Sequence, residues 1–149
     1  MKTGIKVGGL SLKGAEITAS AAELNRGSLK KVVGNLAAVD TGGGVFSWKN
    51  PEAATILVEH VVINVTTKAT AACTLDVGTT ATSATTSSDN LIDGVDVNAD
   101  TGTFTNDESA GTNGKSRKRL AADKWVTASK STGASAGLVG TYEIYYRVL

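Results

Sequence analysis

This sequence has little of what catalysis and cross-linking usually require. It carries one histidine and one cysteine. The lone Cys73 excludes an intrachain disulfide, so packing must hold the fold, and within CTLDV it reads as a buried, inert thiol. A Ser–His–Asp or Cys–His arrangement would have to use His60 as its base. That residue lies inside an apolar run beside Val58 and Val62, which suits a structural or interface histidine. A zinc site would also be short of ligands. No stretch approaches the roughly 18 apolar residues of a membrane span. The N-terminus lacks a hydrophobic signal core, so no standard secretion route is expected. Lys plus Arg number 15 against 14 for Asp plus Glu, which gives no global electrostatic case for nucleic acid or a membrane surface. Aromatics make up 5% and Pro51 is the single proline.

What remains is a chain of small and β-branched residues. At 149 residues it is long enough for one domain with a real core. The longest apolar run is TILVEHVVINVT, residues 55–66. β-Branched side chains are stiff at χ1 and pack well on a pleated surface, so the run reads as a strand rather than a helix. Split by parity, Leu57, Val61, Ile63 and Val65 point one way and Ile56, Val58 and Val62 the other. Both faces are then apolar, as in a central strand covered on both sides.

The chain divides near residue 30. Residues 1–29 form an expected N-terminal arm, in which Ile5, Val7, Leu10 and Leu12 are spaced by glycines. Ile17–Asn25 contains the one expected helix, with Ser20 and Glu23 at capping-box spacing and Gly27 to close it. Ordering an arm with no core of its own costs about 1–2 kcal/mol per residue. Its aliphatic residues Ile5, Val7, Leu10, Leu12, Ile17 and Leu24 are therefore the candidate partner-binding set, for the surface of another molecule or a neighbouring subunit.

Residues 30–149 change to a period of two. Lys30–Val39 reads as a strand with Gly34 as a bulge or bend, and Val45–Lys49 as a strand with Phe46 and Trp48 on one face. Cys73, Leu75 and Val77 alternate with polar residues. Leu91–Ile92 and Val95/Val97 are expected to pair around Asp93-Gly94, and Thr103–Thr105 to form a fragment. Arg117–Ala121 and Trp125–Ser129 read as a hairpin. In the last segment Leu138, Tyr142, Ile144, Tyr146 and Val148 face inward, and Thr141, Glu143, Tyr145 and Arg147 outward. About eight short strands at this spacing predict an all-β, jelly-roll-like β-sandwich.

Three clusters invite chemistry. Asp96, Asn98, Asp100 and Asp107 fall at calcium-loop positions. However, Thr101 stands where glycine is needed, and the last residue is Asp rather than Glu. Turn chemistry explains the same residues, so no metal or other cofactor is expected. Lys115, Arg117, Lys118 and Arg119 form a basic group near Trp125. It reads as a solvated face or a patch meeting acidic groups of another chain, not as a nucleic-acid site. Of the aromatics, only Tyr145 is sent outward by parity, so a sugar-stacking platform lacks members and core packing is the expected role.

Several segments resemble small structural proteins of tailed bacteriophages. ITASAAELN (17–25) is similar to a segment recurring in virion proteins. FSWKNP (46–51), TTSSDNLIDGVDV (85–97), AGTNGKSRKRLA (110–121) and GASAGLVGTYEIYY (133–146) resemble phage jelly-roll proteins. The resemblance implies a head decoration (cement) protein: a homotrimer at three-fold or quasi-three-fold capsid positions. It further implies that the arm contacts the major capsid protein and that the chain, made in the host cytoplasm, ends on the capsid exterior. Such a protein stabilises the capsid without being an enzyme, and without membrane or nucleic acid as partner. The alternative expectation is a glycan-binding module of a tail fibre or baseplate.

Overall fold

The computed structural model describes residues 11–12, 15–16, 27–37, 44–83 and 88–149, and the regular structure among them is all β. Two short strands, β1 (Ser11–Leu12) and β2 (Ala15–Glu16), pair with each other. The body follows with β3 (Lys30–Asn35), β4 (Gly44–Lys49), β5 (Ile56–Thr67), β6 (Cys73–Thr80), β7 (Ile92–Asp96), β8 (Gly102–Thr105), β9 (Lys118–Leu120), β10 (Trp125–Gly133) and β11 (Val139–Val148). The helix expected over 17–25 lies outside the described residues, as do Ile5, Val7, Leu10, Ile17 and Leu24. Leu12 is described as backbone in β1.

The body strands form two antiparallel sheets. One has the order β3-β11-β5-β8, with β9 also paired to β5, and the other β4-β10-β6-β7. The pairs are nested: β3 with β11, β4 with β10, β5 with β8 and β9, β6 with β7. A long antiparallel ribbon folded over on itself gives this nesting, and it defines a jelly-roll β-sandwich. The inner faces meet in one core. Val45, Ile56, Val58, Val61, Ile63, Leu75, Val77, Leu91, Ile92, Val126 and Ile144 are fully buried within it. Each such side chain contributes about 1.5–3 kcal/mol relative to exposure.

Strand β5 is covered on one face, not two. Tyr145 stands opposite His60 and Tyr146 opposite Val58, so Glu59 is an extra residue, a β-bulge. The bulge reverses the alternation midway. Ile56 and Val58 face the core before it; Val61, Ile63 and Val65 face the core after it. Leu57 and Val62 are left half-buried on the outer face. The parity count mixed two phases, and the double apolar face was the result.

Three other expectations change. Gly34 is no bulge, because the register to β11 runs unbroken through it. A Cβ there would lie 2.5 Å from the Tyr142 ring, so glycine makes room for that ring, which stacks on Phe46 at 4.0 Å. The segment expected to pair with itself instead supplies one strand, β7 (Ile92–Asp96), paired to β6 across a register shift. Finally, 117–129 is no hairpin. β9 joins β5 in one sheet and β10 joins β4 and β6 in the other. The buried Asn50 accounts for the crossing. Its side-chain amide donates to the carbonyls of Leu120 and Ala121 and to that of Ala54, satisfying the corner where the chain changes sheets.

Candidate functional site

The bulge puts two polar residues, Glu59 and His60, side by side on the outer face of the larger sheet. Glu59 is only 11% exposed, and it meets two guanidiniums. Arg117 Nε lies 2.9 Å from Glu59 Oε2, and Arg147 Nε sits against Glu59 Oε1. Cross-strand register sets up the second contact: Arg147 on β11 and Arg119 on β9 both stand opposite Leu57. An Arg–Leu–Arg row therefore crosses three strands beside the carboxylate. A carboxylate so nearly buried requires such charge partners.

His60 faces the other way along the bulge. Its Nδ1 is 2.9 Å from Asp107 Oδ2, and its ring lies 6.0 Å from that of Tyr145. Tyr145 donates its hydroxyl hydrogen to Glu143 at 2.6 Å, and Lys31 pairs with the same carboxylate at 2.9 Å. The Tyr145 hydroxyl and then Lys31 hold Glu143 below its usual carboxyl range, and Glu143 in turn holds Lys31 above its own. A polar chain thus runs across the sheet from β3 to the loop after β8.

That loop is fixed by Asn106, which is fully buried. Its Oδ1 accepts the Val61 amide at 2.7 Å, and its Nδ2 donates to the carbonyls of Lys115 and Ser116 at 3.1 and 2.7 Å. Asn106 therefore stitches the segment carrying Ser116 and Arg117 to β5. Between them opens a cleft of about 610 Å³ lined by Glu59, His60, Asp107, Ser116 and Arg117. Ser116 shares this cleft with His60 and Asp107, yet no hydrogen bond joins its hydroxyl to the imidazole.

The other candidates disperse. Asp96 accepts the amides of Asn98 and Ala99 at 2.9 and 3.0 Å, an Asx turn, while Asn98 donates to the Ala69 carbonyl. Asp107 is engaged with His60 instead. Among the described residues no three His, Cys, Asp or Glu side chains gather, so Asp96, Asp100 and Asp107 do not converge. Phe46 stacks on Tyr142 and Trp48 leans on Tyr146 at 5.2 Å, both inside the sandwich. Tyr145 points outward as parity predicts, and Lys31 lies 5.3 Å from its ring centroid.

The sequence reading singled out the basic run 115–119 but missed Glu59, Arg147 and Asn106. One signal for the bulge was present: adjacent polar residues, Glu59 and His60, inside a strand that otherwise alternates. Arg147 is far away in sequence and joins only through strand register.

The topology makes this chain a jelly-roll β-sandwich protein. It is similar in fold to a chain of the acidic stable capsid structure of Helicobacter pylori bacteriophage KHP30, with a TM-score of 0.54 and 12% identity over 83% of this chain and 90% of that one. At that identity the likeness is one of fold. No family profile matches the sequence, and no curated protein matches it.

Proposed function

We propose that this chain is a non-enzymatic structural virion protein that decorates and stabilises a phage capsid from outside. The observation that carries this reading is the jelly roll shared with a phage capsid chain over nearly the whole body. The sequence supports it from a second side. An aliphatic, glycine-spaced leader with no charge-driven partner suits docking on a protein lattice. In this reading residues 1–29 bind the major capsid protein, residues 30–149 form the protruding body, and three copies assemble at three-fold or quasi-three-fold positions. Stabilisation is by clamping: one bound trimer bridges neighbouring capsomers, and the shared buried area adds to lattice stability.

The test uses the full chain with Ile5, Val7, Leu10 and Leu12 changed to serine. Co-sedimentation with capsids of the parent phage should be lost while the thermal unfolding midpoint stays within about 2 °C of wild type, since in this reading these side chains serve the capsid contact and not the core of the body. Mass measurement in solution should give three copies. Retained capsid binding by the serine variant, together with glycan-array binding by the intact chain, would replace this reading with the tail-fibre or baseplate module.

A further inference from the structure

We propose that the outer face around the β5 bulge is a docking site for an acidic protein segment, with Arg117 and Arg147 as its paired receptors. The inference goes beyond the capsid reading, because it holds for any protein partner that presents closely spaced carboxylates.

Both guanidiniums approach the same carboxylate, Glu59, through Nε. A guanidinium paired at Nε, as Arg117 is, keeps its Nη1/Nη2 edge, a planar fork of donors that matches a carboxylate bidentately. Arg147 Nε is buried against Glu59 as an ion pair without a hydrogen bond, and Glu59 only partly neutralises the pair: two positive charges share one negative. Arg147 and Arg117 remain 43% and 68% exposed. Arg119, in the same row beside Leu57, has no ion-pair partner among the described residues. The supports are rigid, since Glu59 is nearly buried and the Asn106 side chain fixes the backbone at Lys115 and Ser116 just before Arg117. Next to Arg117 the cleft of about 610 Å³ has room for one or two partner side chains.

Carboxylates fit this site better than a nucleic-acid backbone. Glu59 and Asp107 line the same cleft and oppose a continuous run of phosphates, whereas discrete carboxylates can seat on the forks between them. The chain's net charge of +1 supplies no wider field to hold a polyanion.

The probe is a fluorescent acetylated tetra-glutamate peptide, titrated by anisotropy at low salt against the full chain. Binding should weaken about tenfold or more in Arg117→Gln/Arg147→Gln and several-fold in Arg117→Lys/Arg147→Lys, which keeps the charge and loses the forks. Lys49→Gln/Lys68→Gln, matched in charge but set elsewhere, should bind as wild type. Arg117→Gln alone leaves Glu59 paired with Arg147, so it reports on the site if the double variant unfolds. No peptide binding by wild type, equal loss in the Lys49/Lys68 control, or tighter binding of a single-stranded DNA oligonucleotide through the same arginines would each overturn the proposal. None of these readouts involves capsids, so failure here leaves the decoration reading intact, and the reverse.

Discussion

Asn106 Oδ1 accepts the backbone N–H of Val61 at 2.7 Å, just past the bulge in β5. The backbone N–H of Asn106 also donates to the Val61 carbonyl at 3.2 Å, so one residue stands in for a strand partner where β8 has ended and β9 has not begun. The Asn106 side chain then holds the far side of the loop. A single amide therefore closes a gap in the sheet edge.

Replacing it should be costly. Asn106→Ala leaves the Val61 amide and the carbonyls of Lys115 and Ser116 without this partner, and each buried unsatisfied group costs about 1–3 kcal/mol. We expect a loss of about 3 kcal/mol, read as a lower urea midpoint. Asn106→Asp keeps the acceptor but loses the two donated bonds, and it should fall between. A midpoint for Asn106→Ala equal to wild type would mean that the loop is held by other contacts.

The bulge makes a second prediction. Deleting Glu59 leaves Ile56, Val58, Val61, Ile63 and Val65 in a strict alternation, with His60 opposite Tyr145 as before. The deletion variant should fold, with its two arginines no longer tied to a common carboxylate. Deleting Val62 instead sends Ile63 and Val65 to the solvent face and should abolish cooperative unfolding, because a one-residue slip exchanges the faces of a strand. Circular dichroism melts of the two variants separate the outcomes.

Gly34 is expected to be intolerant for a steric reason. In Gly34→Ala the new methyl carbon meets the Tyr142 ring at 2.5 Å, and stacking on Phe46 keeps the ring from stepping aside. Overpacking of this kind costs about 1–3 kcal/mol. Adding Tyr142→Leu should recover part of the loss, so the double variant will be more stable than the sum of the single ones predicts. Strict additivity in that cycle would show that the ring does not mediate the effect.

Three carboxyls are depressed in the folded state, the exposed Asp123 by Lys49 and two less exposed ones that shape the acid limb of stability. Lys30, at 2.6 Å, and after it the Tyr146 hydroxyl hold Glu52 below its ordinary value of 4.5. Tyr145 and Lys31 do the same for Glu143. A carboxyl depressed in the folded state adds stability that is fully present above its unfolded value and is lost as pH falls through the folded one. Stability should thus be level from neutral pH down to about 5 and then decline. Glu52→Gln/Glu143→Gln should be less stable at pH 7 and show a shallower acid limb in denaturant titrations. Lys31 works in the opposite sense. Its raised value places its contribution below 10.5, to be lost above the folded value at strongly alkaline pH.

Cys73 is 2% exposed, and burial raises its thiol above the ordinary 9.0. Thiol-specific reagents at neutral pH should react with it only after unfolding. Rapid labelling of the native chain would indicate that β6 opens locally.

Composition and alternation were enough to predict a β-sandwich and most strand positions, because strands with one buried face write their period into the sequence. β4, β6, β8 and β11 emerge where the alternation places them, and Tyr145 is outward as expected. What was illegible depends on register and on long-range partners. Nothing local distinguishes Lys118–Leu120 and Trp125–Ser129 as members of different sheets; Asn50, 70 residues before Leu120, makes the difference. Likewise Glu59 and Arg147 meet only because β11 lies beside β5. The candidate calcium ligands illustrate the converse. Spacing placed Asp107 with Asp96, while the fold gives it to His60.

The nested pairing also has a kinetic consequence. The innermost partners, β6 and β7, are separated by a short connection and can meet early, whereas β3 must wait for β11, more than a hundred positions later. Chains dominated by such distant partners gain their contacts only after large loop-closure costs and fold in milliseconds to seconds. On the ribosome β3 therefore emerges first among the body strands and stays unmated until β11 is released, so assembly of the body begins at its middle and is completed at its two ends.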